Sequence, residues 1–295
     1  MPILPNAFWT PTTPLRKPRD EDIDVYGLTH PGKLRKENQD HFLIASLSKR
    51  MEVERTSLPR DAELAVKPER LASLAMVADG IGKGGGGEEA SRVAVHDIAE
   101  YVARATSAFY GWDAEGSEAF ADVLTEAALH CHVGLQERAA NDPDRKQYGT
   151  TLTLWVGLWP HAYLLHVGDS RAYMYRDGQL TQISRDQTMA QDLVDQGVLT
   201  RTGANNSRWA HVLSSAIGGS EAAPTVTRLT REWGSVILLC SDGLTKHVSD
   251  ERIAERLASL KSAKQTCDEL LQDALDGGGS DNITIIIGRT IKPTE

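Results

Sequence analysis

The chain has 295 residues, a net charge of −9 at pH 7 and 25% charged side chains, which suits one large or two ordinary soluble domains. The acidic balance disfavours a nucleic-acid partner held by unspecific electrostatics. The three cysteines, Cys131, Cys240 and Cys267, form no CxxC pair and argue against a disulfide framework, and no apolar run approaches the ~20 residues of a membrane span. With no apolar leader at the N-terminus, the cytoplasm is the expected compartment.

Residues 1–22 carry Pro2, Pro5, Pro11, Pro14 and Pro18 and read as a tail or a surface arm rather than an element. Residues 24–29 read as a first strand, His30-Pro31-Gly32 as a turn, and the dense polar run 33–40 precedes a second strand at 41–45. Residues 47–70 mix charge with Pro59 and Pro68 and read as a loop. The apolar run 74–78 reads as a buried strand that ends in Asp79. Glycine-rich residues 80–87 follow, and then a helix opens. Ala90, Ala94, Ile98 and Val102 lie four apart on its face. A loop at 110–116 separates it from a second stripe, Phe120, Leu124, Ala127, Cys131 and Leu135.

The pattern then turns to strands at 150–157 and 162–167. A hairpin at 172–175 and 179–183 folds around Asp177-Gly178. Residues 187–196 read as a helix capped by Gly197. Residues 198–223 are rich in Gly, Asn and Ser around an apolar segment at 211–217. A strong strand at 236–240, helices at 249–260 and 262–275, and a last strand at 283–288 complete the chain. Strands and helices come in blocks, which predicts an α+β fold with antiparallel sheets and segregated helices. The cysteines are expected as small buried hydrophobes. His30, His96, His132, His211 and His247 lack ligand spacing and are expected in surface or core roles. The tryptophans are dispersed and make no stacking platform for nucleic acid.

Four aspartates stand at strand ends beside glycine or another small residue: Asp79-Gly80, Gly168-Asp169-Ser170, Ser241-Asp242-Gly243 and Gly279-Ser280-Asp281-Asn282. A fifth, Asp40, precedes a strand. One such aspartate is ordinary turn chemistry. Several brought together would repel one another unless divalent cations held them, and an all-oxygen set favours Mg²⁺ or Mn²⁺ over Zn²⁺. Two glycine-loop alternatives compete. A P-loop fails because Lys83 is followed by Gly84 rather than Ser or Thr. A dinucleotide fingerprint, Gly80-x-Gly82-x-x-Gly85, matches in spacing, but Asp79 just before it would oppose a pyrophosphate.

In order along the chain, these residues resemble the metal-dependent serine/threonine phosphatases of the PP2C family, in its bacterial branch. The resemblance rests on six segments between about 24 and 289. They are Arg35-Lys36-Glu37-Asn38-Gln39-Asp40, Val77-Ala78-Asp79-Gly80, Gly149-Thr150-Thr151, His166-Val167-Gly168-Asp169-Ser170-Arg171, Leu239-Cys240-Ser241-Asp242-Gly243-Leu244 and Gly279-Ser280-Asp281-Asn282-Ile283-Thr284. The resemblance implies an αββα four-layer sandwich spanning 23–290, with an N-terminal extension at 1–22, a flap segment near 187–222 and a tail at 291–295.

By the same resemblance, Asp79 bridges two Mn²⁺ or Mg²⁺ ions, the Gly80 carbonyl joins one of them, and Asp242 and Asp281 complete the other. Asp40 holds water beside the metals, and Asp169 with Asp242 makes a third, weaker site. Arg35 grips the substrate phosphate. The implied reaction is hydrolysis of phosphoserine or phosphothreonine in proteins by a metal-activated water, reversing a cognate serine/threonine kinase. The expected partners are a phosphoprotein substrate and that kinase, and the chain is expected to act as a monomer. The alternative is a catalytically weak PP2C-like regulatory binding module.

Some positions depart from the family pattern. Gln39 stands where some members carry glutamate, and Ile81 where many eukaryotic members carry a histidine proposed as general acid. Lys83 is an unusual polar residue in the glycine run, and is considered as a contact for incoming phosphate beside the simpler reading of a solvated loop lysine.

Overall fold

The longest strand sets the architecture. Residues Glu69–Ile81 form β3, whose side chains alternate between two cores. Leu74 and Met76 face one way, Ala75 and Val77 the other. The computed structural model describes residues 16–49, 69–82, 85–106, 114–141, 148–205 and 207–292, together with Arg55 and Ser57. It pairs β3 with Asp40–Lys49 (β2) on one side and Leu152–Leu158 (β5) on the other. His161–Val167 (β6) and Thr225–Thr230 (β9) complete the path β2-β3-β5-β6-β9, and short Gly149–Thr150 (β4) pairs with the end of β3.

The second sheet takes Ile23–His30 (β1), Arg171–Arg176 (β7), Gln179–Gln182 (β8), Val236–Cys240 (β10) and Ile283–Thr290 (β11) in the order β1-β11-β10-β7-β8. Every pairing in both sheets is antiparallel. The β7–β8 turn has Asp177 at φ 50° and Gly178 at φ 82°, the two left-handed residues that a tight hairpin with the strands' own twist requires.

Helices cover both outer faces. Gly86–Thr106 (α1) and Ala114–Ala140 (α2) lay Ala94, Ile98, Phe120, Leu124 and Leu135 against Met76, Leu154 and Leu165 of the first sheet. Met189–Asp195 (α3) and Arg201–Asn205 (α4) belong to the segment between β8 and β9. Asp242–Thr245 (α5), Asp250–Ala258 (α6) and Ala263–Asp276 (α7) cover the second sheet, where Ile253, Leu257, Cys267 and Leu270 meet Leu238 and Ile285. Between the sheets lies a third core of Ala75, Val77, Trp155, Leu164, Leu239 and Ile286. Each fully buried Leu or Ile contributes about 1.5–3 kcal/mol by leaving water. These layers are the αββα sandwich the resemblance implies. Thr188, Ser249 and Ser262 each cap a helix by accepting from a backbone N–H three residues on.

Several local expectations need correction. The arm before β1 contains a 3-10 turn, Asp20–Asp22, because the Asp22 carboxylate accepts from the Arg19 N–H at 2.7 Å and from Arg16 at 3.0 Å. The loop expected at 47–70 is strand at both ends, with β2 running to Lys49 and β3 starting at Glu69. Residues 50–54, 56 and 58–68 lie outside the described residues, as do 1–15. Helix α2 starts at Ala114, inside the loop expected at 110–116. Gly116 weakens that turn by only about 1 kcal/mol relative to alanine, and its Ala and Glu neighbours favour helix.

Strand β9 and helices α4 and α5 were not expected. β9 is an edge strand whose outer residues are Thr and Arg, so its alternation carries little apolar contrast. The other two helices are barely a turn long. All three cysteines are buried and free, and burial pushes each thiol up to about 12. Among the described residues, no helix is long and apolar enough to cross a membrane.

Candidate metal centre

The two sheets bring their strand ends to one edge of the sandwich. Asp79 near the end of β3 pairs in register with Asp40 at the start of β2. Asp169 lies in the turn between β6 and β7. Asp242 opens α5 one residue after β10, and Asp281 lies between α7 and β11. Asp79, Asp169, Asp242 and Asp281 line one cleft of about 810 Å³ with Arg35 and Gly80. The backbone there is tightly placed. Thr151 Oγ1 accepts from the Asp79 N–H at 3.0 Å, and the Thr151 N–H donates to the Asp79 carbonyl at 2.9 Å. A Cβ on Gly80 would stand 2.1 Å from the Gly87 carbonyl oxygen and 2.7 Å from that of Gln39, so only glycine fits.

Charge is concentrated and incompletely paired. Asp40 is buried, and its Oδ2 accepts from Ser241 Oγ and Thr284 Oγ1, both at 2.7 Å. Among the described residues, its Oδ1 has no hydrogen-bond partner. Burial outweighs these two hydrogen bonds, and with the Asp242 charge it drives the Asp40 carboxyl up to about 6. Burial, then Asp242 and Asp186, carry Asp169 up to about 7 against the pull of Lys246. Asp79 is pushed well above the usual carboxylate range by burial and then by Asp40, Asp242, Asp169 and Asp281. At Asp281 burial acts in the same upward direction, but hydrogen bonds from Arg35 and Lys246 prevail and hold it below the ordinary value. Asp242 Oδ1 is buried without a hydrogen-bond partner among the described residues.

Among the described residues, two cations meet this cluster. Arg35 Nε lies 2.8 Å from Asp281 Oδ1 and its Nη2 3.0 Å from Oδ2, a two-point fork. Arg35 is therefore paired with Asp281 here, within the lining of the cleft. Lys246, which the sequence reading did not single out, places Nζ 2.6 Å from Asp242 Oδ2 and 2.7 Å from Asp281 Oδ2. Its signal was its position one helical turn after Asp242. Lys83 lies outside the described residues.

The donor set suits a hard divalent cation: clustered carboxylates, an adjacent glycine carbonyl, and two buried carboxylate oxygens that lack hydrogen-bond partners among the described residues. Among the described residues no three His, Cys, Asp or Glu side chains already converge as ligands. Lys246 and Arg35 occupy oxygens of Asp242 and Asp281 that would serve.

Further residues hold the loops. Asn282 Oδ1 accepts from the Gln39 N–H at 2.9 Å, and its amide donates to the Pro31 and Glu37 carbonyls, which fastens the Arg35 loop to the Asp281 loop. His247 Nε2 accepts from the Ser280 N–H at 2.9 Å, one residue before Asp281. The segment 187–222 forms a wall of the cleft through residues such as Leu213, Ser214 and Glu221. Gln187 clasps its two ends, accepting from the Gly168 N–H and donating to the Ala223 carbonyl, both at 2.9 Å. His211 lies exposed on that wall.

Comparison with known proteins agrees with this geometry. The family model described as "Protein phosphatase 2C" matches residues 51–277. The serine/threonine protein phosphatase PstP of Mycobacterium tuberculosis is 34% identical over 223 residues, which is 75% of this chain, and the chain spans 41% of that relative's length. The serine/threonine phosphatase stp of Listeria monocytogenes is 27% identical over 217 residues, 72% of this chain and 83% of the relative. Among solved structures, the catalytic domain of PstP in complex with two manganese ions superposes with a TM-score of 0.70 at 29% identity, covering 92% of this chain and 99% of that one. The model spans more than half of the chain and the same fold carries it, so the chain belongs to the protein phosphatase 2C family.

Proposed function

We propose that this chain hydrolyses phosphoserine and phosphothreonine in proteins at a binuclear Mn²⁺ or Mg²⁺ centre and reverses the work of a cognate serine/threonine kinase. The observation that carries the reading is the cleft itself. Four aspartates from both sheets face it, and beside them Asp40 Oδ1 and Asp242 Oδ1 are buried without a hydrogen-bond partner among the described residues. In this reading Asp79 and the Gly80 carbonyl, with Asp242 and Asp281, hold two ions, and Asp169 with Asp242 holds a third more weakly. When bound, the ions supply an activated water and neutralise phosphoryl charge. Asp40, fixed by Ser241 and Thr284, accepts hydrogen bonds from water in the cleft. Arg35 leaves Asp281 to take the substrate phosphate with the same fork. The relative solved with two manganese ions supports the metal assignment by similarity.

The catalytic unit is taken as 23–290, with 1–22 as an arm and 291–295 as a tail. Work in the cytoplasm as a monomer belongs to the same reading, and the three buried free thiols suit a reducing compartment. Phosphate release from a phosphothreonine peptide tests the function. Turnover with Mn²⁺ that disappears with EDTA and in Asp79→Asn is expected. No metal-dependent turnover, or turnover indifferent to Asp79→Asn, overturns it and leaves a regulatory binding module.

A further inference from the structure

Lys246 has no part in the function just proposed, yet it touches two of its supposed ligands. It is the C-terminal cap of α5, one turn after Asp242, and its side chain is 23% exposed. Nζ lies 2.6 Å from Asp242 Oδ2 and 2.7 Å from Asp281 Oδ2, so one ammonium bridges carboxylates 39 residues apart in sequence. Arg35 reaches only Asp281 of that pair.

A lysine ammonium is a compact positive charge with three donors. Here it performs for Asp242 and Asp281 part of what a divalent ion would do: it cancels charge and holds two carboxylates together. An ion seated on the same carboxylates has either to displace the ammonium or to accept its positive charge at close range, and both weaken binding. We propose that Lys246 is a built-in counter-cation of the Asp242–Asp281 pair. It stabilises the metal-free protein and lowers the affinity of the centre for divalent metal. The inference rests on the metal reading above and adds that this chain's own side chain competes for the site.

The test is calorimetric titration of the full chain with Mn²⁺, paired with melting curves in EDTA and in saturating Mn²⁺, for the wild type, Lys246→Met, Lys246→Gln and Lys246→Arg. Both neutral variants are expected to bind Mn²⁺ at least about tenfold more tightly than the wild type. They are also expected to melt at lower temperature than the wild type in EDTA but not in Mn²⁺. Lys246→Arg, which keeps the charge, is expected to stay near the wild type in both. Neutral variants that bind Mn²⁺ equally or more weakly overturn the inference, because Lys246 would then orient the carboxylates rather than compete for them. If either neutral variant does not fold, the other decides. A wild type that binds no Mn²⁺ removes the metal reading itself, and this result is distinct from a wild type that binds and turns over while the variants fail to tighten.

Discussion

Aspartates meet opposite fates in two parts of this molecule. On the surface of the α6–α7 pair, Asp273 accepts from Arg256 at 2.7 and 2.8 Å and from Arg252 at 3.0 and 3.2 Å. The hydrogen bonds from Arg256 lead in holding its carboxyl down to about 2. In the cleft, burial and mutual repulsion carry Asp169 up to about 7 and push Asp79 well above the usual carboxylate range, and two carboxylate oxygens have no hydrogen-bond partner among the described residues. Asp273 is paired with two guanidinium groups. Asp79 and Asp169 are gathered among other carboxylates. Such crowding destabilises the fold unless a ligand neutralises it, and that is how a binding site differs from a structural ion-pair network.

Asp79→Asn breaks the comparison most sharply. It is expected to lower phosphopeptide turnover at least about 100-fold. The same change is expected to raise the denaturation midpoint of the metal-free protein, because one repelling charge is gone. At Asp273 the equivalent change should do neither.

The pH response separates the regions next. Asp40 and Asp169 hold their protons to about 6 and 7 in the fold, above the ordinary 3.8, so the folded state binds protons more tightly than the unfolded chain. Their contribution to stability is greatest at low pH and is lost as pH rises from about 4 through about 7. Asp273 acts with the opposite sign: its contribution is present above about 4 and is lost as pH falls towards about 2. Melting curves in EDTA across this range are expected to show the cleft's decline, and saturating Mn²⁺ to offset it increasingly as pH rises.

A smaller effect is expected from Thr284→Val, which removes one of the two hydroxyls on Asp40 Oδ2. Turnover should fall about tenfold, with a stability loss of about 1–2 kcal/mol. The smallest effect is expected from Asp273→Asn, at about 0.5–1 kcal/mol in chemical denaturation with turnover unchanged.

The strand ends that carry the cleft were legible in the sequence because each aspartate stands between an apolar run and a small residue. Those aspartates, set within six segments in one order, point to one family and its sandwich. What escaped notice depends on distance through space. Arg35 and Asp281 are 246 residues apart, and nothing local says that the guanidinium folds onto that carboxylate. Lys246 gains its place only because α5 and the loop before β11 meet. Asn282 and His247 read as ordinary polar residues until the loops they fasten are adjacent. β9 is hard to read because its two apolar residues, Val226 and Leu229, stand on opposite faces and join different cores, so Thr225, Thr227 and Arg228 leave no apolar alternation.

The most direct test of the cleft's role is a calorimetric titration of the metal-free chain with Mn²⁺ beside the Asp79→Asn variant. Binding of at least two ions by the wild type, with loss of that stoichiometry in the variant, is the predicted result. Equal binding by both proteins, or none by the wild type, would contradict the assignment of these aspartates to a metal centre.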